Sequence, residues 1–383
     1  MDKLPLDILK IIFDLLDFKS KIKLISTCTY MRQNLYIIDL YDIGIEYSKK
    51  LTTKILKYNI FKNVLSLDVS HNTNIKDVSF MNNLKYLNAS MCSKVNQNGI
   101  KGLDLIELNI NNNKNIVNVT FMKGLKILHA TSNCGIKQSG IKGLDLTELD
   151  VDYNIEIKNV SFMKNLKKLN AGGHSAINQN GIKELDLIEL DIHDNNKIND
   201  ISFMKNLKKL DISFDCEIDQ NSIKELDLIE LNINNCNKIK DISFMKNLKI
   251  LRAGGNSINQ NGINGLDLFE LYVSGNKMIH DVSFMKNLKI LSAYYECGID
   301  QNGIEGLNLV ELNVGENYKI KDVSFMKKLK KLNANGDCGI DQDGIKGLDL
   351  YELHINDNYN IVDVSFMKNL KVLDAYGIYN LET

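Results

Sequence analysis

The sequence has no tryptophan, a single proline and only two arginines, Arg32 and Arg252, among its 47 basic residues. Scarce arginine argues against bidentate recognition of phosphate. The formal net charge is −1, with lysines and acids interspersed, so there is no basic stripe of the kind a nucleic-acid surface needs. No apolar run reaches the roughly 18 residues of a membrane helix. The N-terminal apolar stretch is interrupted by acids and lacks a cleavage signal, so an intracellular protein, cytoplasmic or nuclear, is expected. The six histidines show no metal-ligand spacing and no His–Cys–acid set, so neither a metal, a cofactor nor covalent catalysis is expected. Seven cysteines is an odd number. Cys134, Cys216, Cys297 and Cys338 share one repeat position, which makes them stacked apolar residues of a reducing compartment rather than disulfide partners. Heavy use of Asn, Lys and Ile with little Arg is what AT-rich coding gives, as in an amoeba or a large DNA virus.

What the chain has is a 41-residue unit repeated from about residue 64 to the C-terminus. Its register is marked by Phe80, Phe121, Phe162, Phe203, Phe244, Phe284, Phe325 and Phe366, stepping by 41 except for one step of 40 between Phe244 and Phe284. Such periodicity has to be read before anything else. Each unit holds two shorter repeats, Leu-Lys-x-Leu-x-Ala (Leu166, Leu169, Ala171) and Leu-x-Glu-Leu-x-Ile-x-x-Asn (Leu187, Leu190, Ile192, Asn195). Both fit the leucine-rich-repeat frame L-x-x-L-x-L-x-x-N/C. One repeat cannot bury its own apolar edge, so neighbours must stack. The expected fold is an α/β solenoid, a leucine-rich-repeat horseshoe of about 16 parallel strands with short outer turns or helices, preceded by a small all-α domain.

Several ladders come from the frame without invoking function. Asn72, Asn113, Asn154, Asn195, Asn276, Asn317 and Asn358, with Cys236 among them, occupy the ninth position, where an amide satisfies backbone groups at the strand exit. Asp77, Asp200, Asp241, Asp281, Asp322 and Asp363 read as caps of the outer turn. A glutamine row from Gln97 to Gln342 reads as structural too. Glu107 and its six counterparts suggest paired carboxylates, but their period points to cross-strand pairing with lysines such as Lys126 and Lys208.

Residues 1–35 do not repeat. Leu4 to Leu16 reads as an amphipathic helix starting at Pro5, where a missing N–H costs nothing. Ser20 reads as the cap of a second helix from Lys21 to about Thr27, and a third lies near Thr29–Leu35. Residues 36–63 read as a first strand at Tyr36–Leu40 and a helical segment around Tyr47–Tyr58, together capping the solenoid. The organisation expected is therefore 1–35 helical domain, 36–63 linker and cap, 64–383 solenoid.

The N-terminal pattern Leu4-Pro5, Ile8-Leu9, Ile12-Phe13, Leu16, Cys28, Arg32 resembles the F-box, with Met31 where that family usually has Trp. Cys338-Gly-Ile-Asp-Gln-Asp-Gly-Ile-Lys-Gly-Leu348 resembles the cysteine-containing leucine-rich repeats often found behind an F-box. The resemblance implies a non-enzymatic substrate-recognition adaptor of an SCF-type cullin–RING ubiquitin ligase. Leu4, Pro5, Ile8, Leu9, Ile12, Phe13 and Leu16 would then sit at or under the surface that docks a Skp-family adaptor. An apolar helical face with little intrachain core to join is itself a binding face, although the same residues would also serve a simple solenoid cap. The alternative is a binding scaffold, or a decoy that occupies the adaptor without ligase activity.

Target recognition belongs where the repeat fails to repeat. Strand positions five, seven and eight vary, and over successive strands they hold Phe214, Arg252, Tyr272, Tyr294 and Tyr295. Aromatics and arginine are the residues that anchor interfaces, so this concave patch is the candidate site for an unidentified protein target; drift at unconstrained positions would produce the same variation.

Overall fold

The computed structural model describes residues 4–383, and they form two compact units, one ending at Leu185 and the next beginning at Asp186.

The first unit opens with three helices, α1 (Leu6–Asp14), α2 (Phe18–Ile25) and α3 (Thr29–Asn34). Pro5 stands at the N-cap of α1, as its fixed backbone favours. α2 starts earlier than its sequence suggests. Asp17 caps it by accepting from the Ser20 N–H at 2.8 Å, so Ser20 is the third residue of a capped turn and not the cap. Residues 36–63 hold a two-residue strand, β1 (Asp39–Leu40), then α4 (Ile45–Ser48), α5 (Thr53–Leu56) and a 3-10 turn at Asn59–Phe61. The single helical segment expected here is broken by Thr52, whose hydroxyl caps α5 by accepting from the Ile55 N–H. The helices are tied to this capping segment, and the segment to the repeats. Phe18 meets Tyr47 edge to face with ring centroids 5.3 Å apart, and β1 pairs in parallel with the first repeat strand.

The repeat strands of this unit are β2 (Ser66–Asp68), β3 (Tyr86–Asn88), β4 (Glu107–Asn109), β5 (Ile127–His129), β6 (Glu148–Asp150) and β7 (Lys168–Asn170). The second unit holds β8 (Glu189–Asp191), β9 (Lys209–Asp211), β10 (Glu230–Asn232), β11 (Ile250–Arg252), β12 (Glu270–Tyr272), β13 (Ile290–Ser292), β14 (Glu311–Asn313), β15 (Lys331–Asn333), β16 (Glu352–His354) and β17 (Val372–Asp374). Within each unit successive strands pair in parallel and in register, as in Leu231↔Leu251↔Leu271. Among the described residues the sixteen repeat strands β2 to β17, with β1 inside the first strand expected at Tyr36–Leu40, make seventeen.

A three-residue strand has no stability of its own, and the stacked neighbours supply it. Alternation turns the central leucine inward, and Leu67, Leu108, Leu231 and Leu271 are fully buried. The outer turns carry the opposite edge of the core. There Met122, Met163 and Met204 are fully buried, while the register-marking Phe121, Phe162 and Phe203 stay half exposed. The outer helices are single turns, such as Gln138–Ile141 and Gln260–Ile263.

The polar ladders are the hydrogen-bonding framework. Asn317 is buried; its Nδ2 donates to the Ala293 and Ile299 carbonyls at 3.0 and 3.2 Å, and its Oδ1 accepts from the Lys319 N–H at 3.0 Å. Gln97 reaches one full turn onward, accepting from the Val117 and Asn118 N–H groups and donating to the Asn118 carbonyl. Asp77, Asp241 and Asp322 do hold outer turns, but by accepting from the N–H two residues on rather than as helix caps. The one-turn helices are capped instead by Asp219 and Asn259. Cys216, Cys297 and Cys338 are buried and Cys134 is half-buried, all as free thiols.

Candidate protein-binding surfaces

α1 has two apolar stripes. Leu9 and Phe13 face inward at 3% and 2% exposure, and Leu16 is half-buried. The other stripe is open: Leu4, Ile8 and Ile12 are exposed, joined by Ile11 and by Leu15 at 83%. Of the residues expected at the adaptor surface, Leu4, Pro5, Ile8 and Ile12 therefore face solvent, and Leu9 and Phe13 lie under them as support. Ile11 and Leu15 complete the stripe at helical spacing from Leu4 and Ile8. The F-box motif does not include them, although a periodicity count along the helix finds them. Met31, at the usual Trp position, is buried at 2% exposure within α3, close in sequence to the buried Leu35. It is a core residue here, not a surface one.

The concave patch lies wholly in the second unit and divides in two. Arg252 and Tyr272 sit opposite each other on β11 and β12. The Arg252 guanidinium lies 5.0 Å from the Tyr272 ring centroid and pairs with Glu230 at 2.5 Å. The Tyr272 hydroxyl donates to Glu270 at 2.9 Å; burial, then that hydrogen bond, pushes its pKa up to about 12. Tyr294 and Tyr295 form a second cluster, with rings stacked 6.1 Å apart, and the Tyr294 ring leans onto Gly315. Phe214 and Tyr295 stand at position eight, which is left-handed in repeat after repeat, as at Asn235 and Glu316. Their side chains project from the strand exit rather than from the sheet itself. Phe214 borders a separate hollow of about 390 Å³ with Asp215, Cys216, Asn235 and Lys238.

The charge ladders are offset from their expected pairing. The lysines preceding the strands lie one position out of register with the Glu row, and Lys208 reaches Asp227 at 2.7 Å instead. Glu230 is met in register by Lys209, and Glu352 by Lys331. These ion pairs are exposed and each contributes little. Position five also carries His129, 3.6 Å from Asp150, and His354, bonded to Glu352 at 2.8 Å; neighbouring carboxylates raise both pKa values. Among the described residues no group of three His, Cys, Asp or Glu side chains is placed to hold a metal ion, and no helix is long and apolar enough to cross a membrane.

Residues 1–35 match the F-box domain model. No curated protein matches this chain by sequence. Among solved structures it is similar to the TLR13–ssRNA13 complex (18% identity, TM-score 0.44, covering 93% of this chain and 60% of that one). It is also similar to an internalin, InlF, from Listeria monocytogenes (17%, 0.39, 86% and 93%), and to the Rad7–Elc1 complex of yeast (13%, 0.44, 96% and 88%). This chain spans only about 60% of the TLR13 chain. At these identities and scores the likeness says nothing about partners.

Proposed function

We propose that this chain, an F-box domain followed by a leucine-rich-repeat solenoid, is the substrate-recruiting adaptor of a cullin–RING ubiquitin ligase. In this reading residues 1–35 dock a Skp-family adaptor, 36–63 cap the repeats, and 64–383 hold a protein target. It works by binding alone, in the cytoplasm or nucleus where such ligases act.

The observation that carries the reading is the open stripe Leu4, Ile8, Ile11, Ile12 and Leu15 opposite a buried one. A simple cap needs one apolar face on its helix; α1 has two. Covering the open stripe would contribute on the order of 5 kcal/mol before association costs. The patch around Arg252, Tyr272 and Tyr294 suits the target side, with aromatics and an arginine already held in place by their neighbours.

The test is a binding titration against a eukaryotic Skp-family adaptor, comparing the intact chain with an Ile8→Asp/Ile12→Asp variant and with Lys10→Ala. The double variant should lose adaptor binding with its thermal unfolding unchanged, since both side chains are exposed; Lys10→Ala should bind as the intact chain does. Failure of the intact chain to bind would end the ligase reading and leave a solenoid scaffold.

A further inference from the structure

Position seven of each repeat strand carries a backbone N–H that the sheet does not use. In ten strands the Asn or Asp two residues earlier accepts from it, as Asn232 does from Asn234 and Asn313 from Gly315. In four more, the position-seven Asn of the preceding strand lends its carbonyl: Asn111 to Thr131, Asn234 to Gly254, Asn335 to Asn356 and Asn356 to Tyr376. In three of these the loan answers a substitution, because position five has become His129, Arg252 or His354. Of the sixteen repeat strands only two, neighbours in the sheet, are left out. The Ser274 and Tyr294 N–H groups have no protein acceptor among the described residues.

The sequence accounts for both gaps. Ser274 comes after Tyr272, which offers no carbonyl, and the preceding strand has Gly254 at position seven, with nothing to lend. Tyr294 comes after Ser292, whose hydroxyl is engaged by that of Ser274 at 3.0 Å. The surroundings are open and glycine-lined. Gly254, Gly255 and Gly275 form the floor, and no side chain lies within 4 Å of the site of a Cβ at Gly275. Tyr272 and the exposed Tyr294 stand at the sides. Glycine permits close backbone approach, and an N–H without an acceptor is a binding group once water is excluded.

We propose that this gap is the recognition point for the target protein, and that the target supplies two neutral amide oxygens, from Asn or Gln side chains or backbone carbonyls, to the Ser274 and Tyr294 N–H groups. Every other strand meets this N–H with a carbonyl or carboxylate oxygen, so the missing partner is of that kind. A neutral amide fits better than a carboxylate, because Arg252 is already neutralised by Glu230 and Glu270 stands beside Tyr272. The two donors lie on adjacent strands, about 4.8 Å apart. The inference rests on the reading of the solenoid as a target-holding surface.

The test closes the gap with the chain's own device. Ser292→Asn and Tyr272→Asn introduce at position five the residue that caps this N–H elsewhere. A displayed library of random peptides is selected on the intact chain, and the winners are titrated against the intact, Ser292→Asn, doubly substituted and Ser292→Ala proteins. Expected are peptides rich in Asn or Gln that shift the Ser274 and Tyr294 amide resonances. Their affinity should fall about tenfold or more in the double variant, less in Ser292→Asn, and little in Ser292→Ala, which keeps the gap. Ser292→Asn alone keeps the inference falsifiable should the double variant misfold. Peptides that bind the gap-closed protein equally, or that leave those two amides unmoved, overturn the gap while leaving a target-holding surface elsewhere on the solenoid. A selection that yields no binder overturns both, and the adaptor titration with the N-terminal helices is unaffected by either result.

Discussion

Replacing Asn317 with Ala removes three hydrogen bonds at once from a buried site. The Ala293 and Ile299 carbonyls lose a donor, and the Lys319 N–H loses its acceptor. Unmet buried groups cost about 1–3 kcal/mol each; with partial relaxation of the carbonyls, the total expected is about 2–4 kcal/mol. The same chain supplies the reverse experiment. Cys236 occupies this position in one repeat and is buried, stacked over Cys216 as Asn317 is over Cys297 and Asn154 over Cys134, which accepts from the Asn154 Nδ2 at 3.3 Å. Cys236→Asn should therefore fit and stabilise by about 1 kcal/mol, the net worth of ordinary hydrogen bonds. Urea unfolding monitored by circular dichroism measures both. The slope must be compared between variants, because repeat arrays need not unfold in one step. A loss below about 0.5 kcal/mol for Asn317→Ala, or a destabilising Cys236→Asn, would refute the view that the ladder is set by backbone satisfaction.

Met31→Ala should cost the helical region about 2–4 kcal/mol through the cavity left at a fully enclosed side chain; hydrogen exchange should quicken in α1–α3 while the repeat strands keep their protection. Cys216, pushed up to about 12, and Cys338, pushed up to about 11, both by burial, should resist alkylation in the folded protein at neutral pH, whereas the exposed Cys92 should react; mass spectrometry reads this directly. The Glu352 hydrogen bond raises the pKa of His354 above its usual value of about 6.5. The stability this contributes is fully present below the unfolded pKa and is lost as pH rises through the folded one. His354→Gln should therefore lower the unfolding midpoint more at about pH 6 than at about pH 8, and equal effects at both would count against the pairing.

Much of the architecture was legible because each repeat solves the same local problem. Inward Leu at strand centres, the Asn row and the Gln row were all assigned to structure from their period, and each has its backbone partners. What failed were details that depend on a neighbour. Ser20 resembled a helix cap, but Asp17 lies nearer the start of α2 with a better acceptor. Period alone pairs the preceding lysines with the Glu row; a one-residue offset takes them out of register with it and turns Lys208 toward Asp227. The five residues of the concave patch were found as departures from the repeat, yet variation alone could not tell that Arg252 and Tyr272 form one cluster and the tyrosine pair another. Ile11 and Leu15 carry no motif; helical spacing groups them with Leu4 and Ile8, and their exposure in a helix already packed on its other side brings them into the candidate surface.

The sequence by itself determined the period, the strand register and the N-terminal helices, because these rest on local spacing and on which side chains must leave water. Only the tertiary structure decided which apolar residues of α1 remain outside, and which strand-exit N–H groups are left without an acceptor among the described residues. Both depend on what stands opposite: the burial of Leu9 and Phe13 is set by the rest of the fold, and the Ser274 and Tyr294 amides are unmet because of what the preceding strands lack.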